Sequence, residues 1–384
     1  MVLRHFWLER IERAWKRRSV VWLSGVRRAG KTVLSQSLRD IEYFDCELPR
    51  IRRLTDDPEG FLQSVRGKRI VLDEIHRLEH PAQILKIAAD HYPNVRVLAT
   101  GSSTLGASAK FRDTLTGRKE EIWLTPMTTD DLQDFHQTDL RHRFLHGGLP
   151  PFFLAEKLPE PDFQEWMDAY WAKDIQELFR LERRHSFQKF TELLMGQSSG
   201  IFEATKFTGP CEVSRGTIAN YLAALEATFV VHMLRPYSSH RPTEIVSAPK
   251  VYGFDTGFIC YHRGWHRLRH DDLGLLWEHF VLNEIQAHRQ TREIRYWRDK
   301  RGHEVDFILA RGKQAATAIE CKWSAADFDS GNLQIFRRAY PQGGNLVVAN
   351  DVDRTFTRSY GGVSVRFVSL SQLITRLEEE RPSE

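Results

Sequence analysis

The sequence predicts an α/β protein whose N-terminal part is a parallel sheet covered by helices. Val20 to Ser24 is a short, apolar, β-branched segment typical of a buried strand, and it leads into a glycine-bounded loop. Ile70 to Leu72 is a second such segment and leads into Asp73 and Glu74. Helical segments separate these and the following strands, and this alternation is typical of a parallel sheet with helices on both faces.

The loop after the first strand matches the phosphate-binding P-loop pattern GxxxxGK[ST] in full. It reads Gly-Val-Arg-Arg-Ala-Gly-Lys-Thr from Gly25 to Thr32, and a helical segment follows it. Free backbone N–H groups and the positive end of a helix dipole bind phosphate at such a turn. We expect Lys31 to contact the β- and γ-phosphates and Thr32 to supply a hydroxyl to Mg²⁺. The predicted nucleotide contacts are Gly25, Arg28, Gly30, Lys31, Thr32 and Asp73.

Two adjacent carboxylates follow the strand Ile70 to Leu72, at the edge where an open α/β sheet binds its ligand. Asp73 is placed to hold Mg²⁺ together with Thr32. Glu74 is the expected general base for the water that attacks the γ-phosphate. The alternative is a strand that simply ends in an acidic turn. The two motifs together predict ATP and Mg²⁺ as ligands, whereas hydrolysis depends on Glu74 alone.

Two further groups are candidates for the same site. The run from Thr100 to Ser103 ends a strand beside the expected position of Asp73. Its hydroxyls, Ser102 among them, either orient the attacking water or cap the following helix. Arg118 either serves the active site of a neighbouring subunit as an arginine finger or is an ordinary surface residue.

Composition predicts a globular, core-forming protein. Hydrophobic residues make up 41% and charged residues 28%, and a net charge of +4 does not by itself indicate a nucleic-acid partner. No apolar stretch is long enough for a membrane span or a secretory signal, so we expect a cytoplasmic protein with no membrane partner. The cysteines show neither metal-ligand nor redox spacing: Cys46, Cys211, Cys260 and Cys321.

After residue 150 the pattern changes to helices followed by two short strands, which is typical of a winged helix-turn-helix. The last helix begins after Ser214, a predicted N-cap, and has an apolar stripe on one face. Its opposite face has no basic residue: it carries Gly216, Asn220 and Ala223. Because a DNA-reading helix normally brings Arg or Lys to the groove, a structural role competes with base readout.

The C-terminal third contains a second candidate site. The helix from Leu273 to His288 is apolar nearly all round, so its Glu278 would be buried and need a partner or a metal. Asp306 lies in one predicted strand, and Glu320 and Lys322 share one face of the next. This is the PD-(D/E)xK nuclease arrangement, in which the carboxylates bind Mg²⁺ or Mn²⁺ and the lysine acts on the hydrolytic water. A surface salt bridge is the alternative.

The ordered set of motifs resembles a prokaryotic family of AAA+-type ATPases whose C-terminal half is a domain of unknown function. The matching segments are Gly25–Thr32, Asp73–Leu78, Thr100–Ser103, Gly117–Arg118, Gly147–Pro150, Asp255–Gly257, Glu304–Asp306 and Ile319–Lys322. The resemblance implies an AAA+-like P-loop NTPase domain, a winged-helix segment and a C-terminal PD-(D/E)xK restriction-endonuclease-like α/β domain. We place them at residues 1–150 (with a small lid), 151–250 (with a helical linker) and 251–384.

Two functions are consistent with this organisation. The first is an ATP-hydrolysing DNA-processing enzyme that remodels or translocates duplex, single-stranded or branched DNA, acting as a homo-oligomer such as a hexameric ring. The second is a nucleotide-controlled switch in regulation or defence, whose nuclease-like domain only docks DNA or protein. We favour the first because Glu278, Asp306, Glu320 and Lys322 are all present, and a docking domain would be free to lose them.

Overall fold

The chain divides into two compact units in a computed structural model that describes residues 2–101, 109–179, 183–238, 248–310 and 315–379. The first unit comprises Met1–Arg184 and Ala223–Val230, and the second His185–Leu222 and Val231–Glu384. The candidate residue Ser102 lies outside the described residues. None of the described helices has the length and apolar character that a bilayer span requires.

The sheet of the first unit, as far as it is described, has five parallel strands in the order β2-β3-β4-β1-β5. The strands are β1 (Val20–Ser24), β2 (Ile41–Asp45), β3 (Arg69–Asp73), β4 (Arg96–Thr100) and β5 (Lys119–Trp123). Every residue of β1 is buried, which explains its unbroken apolar sequence. Because the strands are parallel, Gly25, Glu74 and Gly101 follow their strands at the same edge. The predicted strands before these residues are confirmed.

Helices flank this sheet and continue beyond it. They are α1 (His5–Arg17), α2 (Lys31–Gln36), α3 (Pro49–Leu54), α4 (Pro58–Ser64), α5 (Pro81–His91), α6 (Ala109–Leu115), α7 (Thr129–Asp134), α8 (Leu140–His146), α9 (Pro150–Phe153), α10 (Glu160–Tyr170) and α11 (Gln176–Phe179). A π-helical turn at Trp171–Ile175 joins α10 to α11. Such turns are rare and frequent at functional sites, and the sequence did not predict this one.

The second unit contains a mixed sheet, described over nine strands in the order β13-β14-β12-β11-β10-β9-β7-β8-β6. The strands are β6 (Gly200–Ile201), β7 (Val231–Pro236), β8 (Lys250–Gly253), β9 (Arg295–Arg298), β10 (Glu304–Leu309), β11 (Thr317–Lys322), β12 (Asn345–Ala349), β13 (Phe356–Tyr360) and β14 (Val363–Val368). The short strand β6 and the strand β7 both pair antiparallel with β8. The predicted strands around Asp306 and Glu320 are confirmed as the antiparallel neighbours β10 and β11.

The helices of the second unit pack around this sheet. They are α12 (Arg184–Gly196), α13 (Ala204–Cys211), α14 (Arg215–Ala227), α15 (Thr256–His262), α16 (His270–Arg289), α17 (Gly331–Ala339) and α18 (Leu370–Glu379). The end of α14, from Ala223 onward, is counted in the first unit. The expected burial of α16 is confirmed, since almost every residue from Leu273 to His288 is buried.

The two units do not follow the two borders between the three predicted domains. The border between residues 250 and 251 falls inside β8, and the border at residue 150 falls inside the first unit. The border at residue 250 fails because β7 pairs with β8 on one side and with β9 on the other. Strands from both sides of that border therefore belong to one sheet. Sequence patterns do not show which strands become neighbours.

Candidate functional site

The P-loop joins β1 to α2 and has a backbone that requires glycine at two positions. Gly25 has a φ of +146°, and a Cβ there would lie 2.5 Å from the carbonyl oxygen of Leu124. Gly30 has a φ of +95° and directly precedes Lys31, the first residue of α2. Side chains rarely adopt these conformations, so the two glycines allow the tight turn that the motif predicted.

Lys31 reaches back across this loop. Its Nζ donates hydrogen bonds to the carbonyl oxygens of Gly25 at 2.9 Å and Val26 at 3.1 Å. Burial lowers the pKa of Lys31, although the charges of Glu74 and Asp174 oppose the shift. An ammonium group held over a loop in this way is available to anionic oxygens that enter the loop.

Asp73 ends β3 and accepts hydrogen bonds from three hydroxyl groups. Thr32 donates to its Oδ2 at 2.9 Å, Tyr43 donates to the same oxygen at 2.5 Å, and Thr100 donates to Oδ1. The Thr32 contact brings the two predicted halves of the site together. Burial and the hydrogen bond to Asp73 raise the pKa of Tyr43. Sequence reasoning missed Tyr43, because its role depends on β2 lying beside β3.

Glu74 occupies the residue after β3 in a left-handed conformation, with φ 53° and ψ 44°. Such a conformation in a non-glycine residue is strained and is often found at functional sites. The backbone N–H of Glu74 donates to Thr100 Oγ1 at 3.2 Å, and its carboxylate lies 3.1 Å from His76 Nδ1. Burial alone would raise the pKa of Glu74, but His76 and Lys31 outweigh it and the pKa is lowered. Glu74 is therefore ionised at neutral pH, as a general base must be.

A helical segment that the sequence did not connect with this site packs against the P-loop. Trp166 of α10 donates its indole N–H to the carbonyl oxygen of Arg27 at 3.0 Å. Arg28 forms an ion pair with Glu165 at 2.6 Å. In the π turn, Asp174 lies 3.9 Å from the Arg27 guanidinium. Both P-loop arginines thus face acidic residues of one helical segment.

A cavity of about 680 Å³ opens beside the P-loop and has one apolar side. Lys31 and Thr32 belong to its polar lining, and its apolar lining consists of Val2, Val33, Leu34, Phe135, Pro150, Pro151 and Leu154. Val33 is 50% exposed and Leu154 60%, and both line this cavity. Their exposure into a cavity next to the phosphate loop indicates a place for an apolar part of a ligand.

Arg118 lies away from these groups in its own chain. It directly precedes β5, so it lies near the N-terminal ends of the parallel strands, whereas Gly25 and Asp73 lie at their C-terminal ends. Its Nε donates to Asp90 at 2.8 Å and 3.0 Å. Arg118 does not contribute to the site of its own subunit, and a role in a neighbouring subunit stays a prediction.

The second candidate site lies on β10, β11 and α16. Register places Asp306 beside Glu320, because Phe307 pairs with Ile319. Glu320 accepts a hydrogen bond from Lys322 at 2.9 Å, and Asp306 accepts one from the backbone N–H of Cys321 at 2.8 Å. Burial and the neighbouring Asp306 raise the pKa of Glu320 to about 8. The structure therefore brings together Asp306, Glu320 and Lys322, as predicted.

Glu278 is held by two residues that sequence reasoning missed. Lys250 Nζ donates to Glu278 Oε1 at 2.9 Å and to Glu304 Oε1 at 2.5 Å, and Tyr252 OH donates to Glu278 Oε1 at 2.5 Å. Lys250 is only 4% exposed. Burial opposes its charge, but the carboxylates raise the pKa of Lys250 well above its ordinary value.

These contacts differ from the predicted metal centre. Within the part of the chain that the structure describes, no group of three or more His, Cys, Asp and Glu side chains is arranged to hold a metal ion. The reason is local: Glu278 is turned to Lys250 and Tyr252, and Glu320 is turned to Lys322. A metal site formed by Glu278, Asp306 and Glu320 is not preassembled, and it stays a prediction.

Helix α14 agrees with its predicted cap and exposed face. Ser214 Oγ accepts a hydrogen bond from the backbone N–H of Thr217 at 3.1 Å, as an N-cap does. The face opposite the core exposes Gly216, Asn220 and Ala223. Arg215, in the first turn, is also exposed.

Comparison with known families supports the class of the first unit. Residues 17–133 match a family described as an AAA domain. Residues 137–269 and 273–372 match two domains of unknown function, DUF8612 and DUF4143. The AAA match contains the P-loop, Asp73 and Glu74, so the predicted nucleotide-binding residues lie in the segment that is similar to an AAA domain.

The relatives found by sequence are described without an activity. Uncharacterised proteins of Mycobacterium bovis and Mycobacterium tuberculosis are each 29% identical over 318 residues, which cover 78% of this chain and 69% of theirs. An uncharacterised protein of Haemophilus influenzae is 23% identical over 269 residues, covering 61% of this chain and 67% of its own.

Among solved structures, a Walker-type ATPase of Pyrococcus abyssi is 13% identical with a TM-score of 0.45, covering 68% of this chain and 96% of that one. A signal transduction ATPase with a tetratricopeptide repeat sensor, from Pyrococcus horikoshii, is 11% identical with a TM-score of 0.28, covering 73% of this chain and 46% of that one. Both TM-scores are too low to support an argument about this chain.

Proposed function

We propose that the first unit binds ATP with Mg²⁺ and hydrolyses it. The observation that carries this proposal is the contact of Thr32 with Asp73 directly beside Glu74, because it joins the phosphate loop to a candidate base. The residues present also fit the ligands. Gly25 and Gly30 have positive φ values that allow the tight turn of a phosphate-binding loop, and hydroxyl and carboxylate oxygens are the ligands that Mg²⁺ prefers.

Each residue then has a distinct task. Lys31 would hold the terminal phosphates, and Thr32 and Asp73 would hold Mg²⁺, whose charge would offset that of the phosphate oxygens. Glu74 accepts the proton of the attacking water, for which it must be ionised. Thr100 contacts Asp73 and the backbone of Glu74 together, so it keeps the metal-holding residue and the base in a fixed relation.

The apolar cavity beside the loop would hold the nucleoside. Val33 follows Thr32 directly, and Leu154 faces the same cavity from beyond α9. A base that packs between such side chains removes their exposed apolar area from water, which is favourable. Leu154→Asp should therefore weaken ATP binding, whereas Leu48→Asp, at an exposed leucine outside this cavity, should leave it unchanged.

The test uses two variants with different expected effects. Lys31→Ala should abolish tight ATP binding, because the phosphates lose the P-loop ammonium. Glu74→Gln should bind ATP and retain it, because the metal-holding residues remain while the base is lost. Nucleotide binding and phosphate release are measured on the same samples. If Glu74→Gln releases phosphate at the wild-type rate, Glu74 is not the base.

For the second unit we propose a DNA-handling role, built on a winged helix and a PD-(D/E)xK-like sheet. The order α12, β6, α13, α14, β7, β8, with β8 pairing to β6 and β7, supports the winged helix. Asp306 and Glu320 on antiparallel neighbours, with Lys322 beside them, support the nuclease-like arrangement. ATP hydrolysis would then drive a change in bound DNA. The alternative is a nucleotide switch whose second unit only docks DNA or protein.

Metal-dependent cleavage is the finer question. Buried carboxylates repel one another, which favours a cation between Asp306 and Glu320. Incubation of the whole protein with duplex, single-stranded and branched DNA in Mg²⁺ or Mn²⁺ tests it, with Asp306→Ala and Lys322→Ala as inactive controls that keep the ATPase. Intact DNA in every arm, together with DNA-stimulated ATP hydrolysis, would support DNA remodelling and refute DNA cleavage. Intact DNA with no effect on the ATPase would support the docking alternative.

A further inference from the structure

Asp174 is a buried carboxylate that the proposed reaction does not use. It lies in the π turn, is 7% exposed, and lines a second, smaller cavity of about 90 Å³ together with Lys31 and Glu74. Within the described residues its Oδ2 has no hydrogen-bond partner. The same oxygen lies 3.9 Å from the Arg27 guanidinium, beyond hydrogen-bond distance. A buried carboxylate so weakly compensated is costly, as its pKa of about 6, raised by burial, also indicates.

Arg27 is anchored at its backbone and loosely held at its side chain. The Trp166 indole fixes its carbonyl oxygen at 3.0 Å. Its guanidinium side chain is 33% exposed and lines both cavities beside the P-loop, the smaller one together with Asp174 and the larger one without it. The guanidinium can therefore turn from one side to the other while the loop stays in place.

The neighbouring arginine behaves differently. Arg28 forms a direct ion pair with Glu165 at 2.6 Å, and Glu165 is 63% exposed. That pair is solvated and makes a good hydrogen bond, so it does not need another anion. Of the two P-loop arginines, Arg27 is therefore the one whose acidic neighbour, Asp174, is too far away for a hydrogen bond.

We propose that Arg27 exchanges Asp174 for the terminal phosphate of bound ATP, so that this pair sets the preference for ATP over ADP. The inference rests on the proposed function of the first unit. A guanidinium makes two parallel hydrogen bonds with a phosphate and gains more from it than from a carboxylate beyond contact distance. ADP lacks that phosphate, so it leaves Arg27 with Asp174. The helical segment carrying Asp174 then senses which nucleotide is present.

The exchange predicts opposite effects for the two residues. Arg27→Gln should weaken ATP binding on the order of tenfold, equivalent to about 1.4 kcal/mol, and ADP binding much less. Asp174→Asn should tighten ATP binding by several-fold and leave ADP nearly unchanged, because the carboxylate no longer competes for Arg27. The matched control is Asp168→Asn, on the same helical segment, where Asp168 pairs with exposed Arg184 outside the cavity.

A double-mutant cycle decides whether the two residues act on one another. Dissociation constants for ATP and ADP with Mg²⁺ are measured by displacement of a fluorescent nucleotide from the full chain. Since Asp174 is proposed to act through Arg27, Asp174→Asn should have no effect on the ATP/ADP ratio in the Arg27→Gln background. If Asp174→Asn does not fold, Asp174→Ser tests the same loss of charge.

The outcomes separate this inference from the proposal beneath it. A wild-type chain that binds neither nucleotide would refute the ATPase proposal itself. Wild-type binding with unchanged ATP/ADP ratios in both single variants overturns only the exchange. An equal effect of Asp174→Asn with and without Arg27 overturns it as well, because the carboxylate would then repel the phosphates directly.

Discussion

The buried ion pair between Arg4 and Asp131 should be among the most important single contacts for the stability of the first unit. Arg4 Nε and Nη2 donate to the two Asp131 oxygens at 2.7 Å each, and the side chains are 5% and 0% exposed. Arg4 Nη1 also donates to the carbonyl oxygen of Ala29 at 2.9 Å, inside the P-loop. The pair therefore links the start of the chain and α7 to the nucleotide site.

Asp131→Asn keeps the shape of the side chain but not its acceptors. Asp131 also accepts hydrogen bonds from Trp7 Nε1 and from the backbone and hydroxyl of Thr128. An amide group must turn its NH₂ toward one of these donors, and the Arg4 charge stays buried without a counter-ion. Removing one partner of a buried pair costs about 3–5 kcal/mol, and we expect a loss of unfolding free energy in that range.

The assay is urea unfolding of the full chain, with hydrogen exchange in α1 assigning the transition to the first unit, since two units need not unfold together. The matched control is Glu120→Gln, which breaks the exposed Arg17–Glu120 pair at 2.5 Å and should change the free energy by less than about 1 kcal/mol. Arg4→Met and the double variant complete a cycle. A loss for Asp131→Asn no larger than the control's would refute the reasoning.

Three other predictions concern the site, its pH dependence and assembly. Tyr43→Phe should weaken activation of the ATPase by Mg²⁺ about tenfold, because Asp73 loses one of its three hydroxyl donors; a magnesium titration that matches wild type would contradict this. Burial raises the pKa of Asp131, but Arg4 outweighs it and the pKa is lowered; its contribution to stability should therefore be full above the unfolded pKa of about 3.9 and be lost as pH falls further, which acid unfolding of wild type against Asp131→Asn measures. Arg118→Ala should lower the ATPase rate of the assembled protein on the order of 10³-fold with ATP affinity unchanged. Mixing this variant with Lys31→Ala subunits should restore activity. An unchanged rate in Arg118→Ala would show that Arg118 is not an arginine finger.

The sequence predicted the parts of the nucleotide site that adjoin one another along the chain. Gly25, Lys31 and Thr32 belong to one strand–loop–helix segment, and its chemistry is readable without a fold. The sequence did not predict the role of Tyr43, because only the order of the strands brings β2 beside Asp73. The sequence did not predict the position of Asp174 for a different reason. Its position depends on a π turn and on the packing of that helical segment against the P-loop, and no local pattern specifies either.

The same limit explains the second unit, where the predicted residues are present but their charges are balanced differently. A motif of acids and one lysine indicates a metal site as long as no other cation is near. Lys250 comes from β8, 28 residues before Glu278 and 54 before Glu304, and only the folded sheet brings it to both carboxylates. Since Lys250 is buried and keeps its charge, a metal ion that required Glu278 would have to displace that ion pair. Metal binding by Asp306 and Glu320 alone requires no such displacement, so it is the form of the nuclease hypothesis that agrees best with the structure.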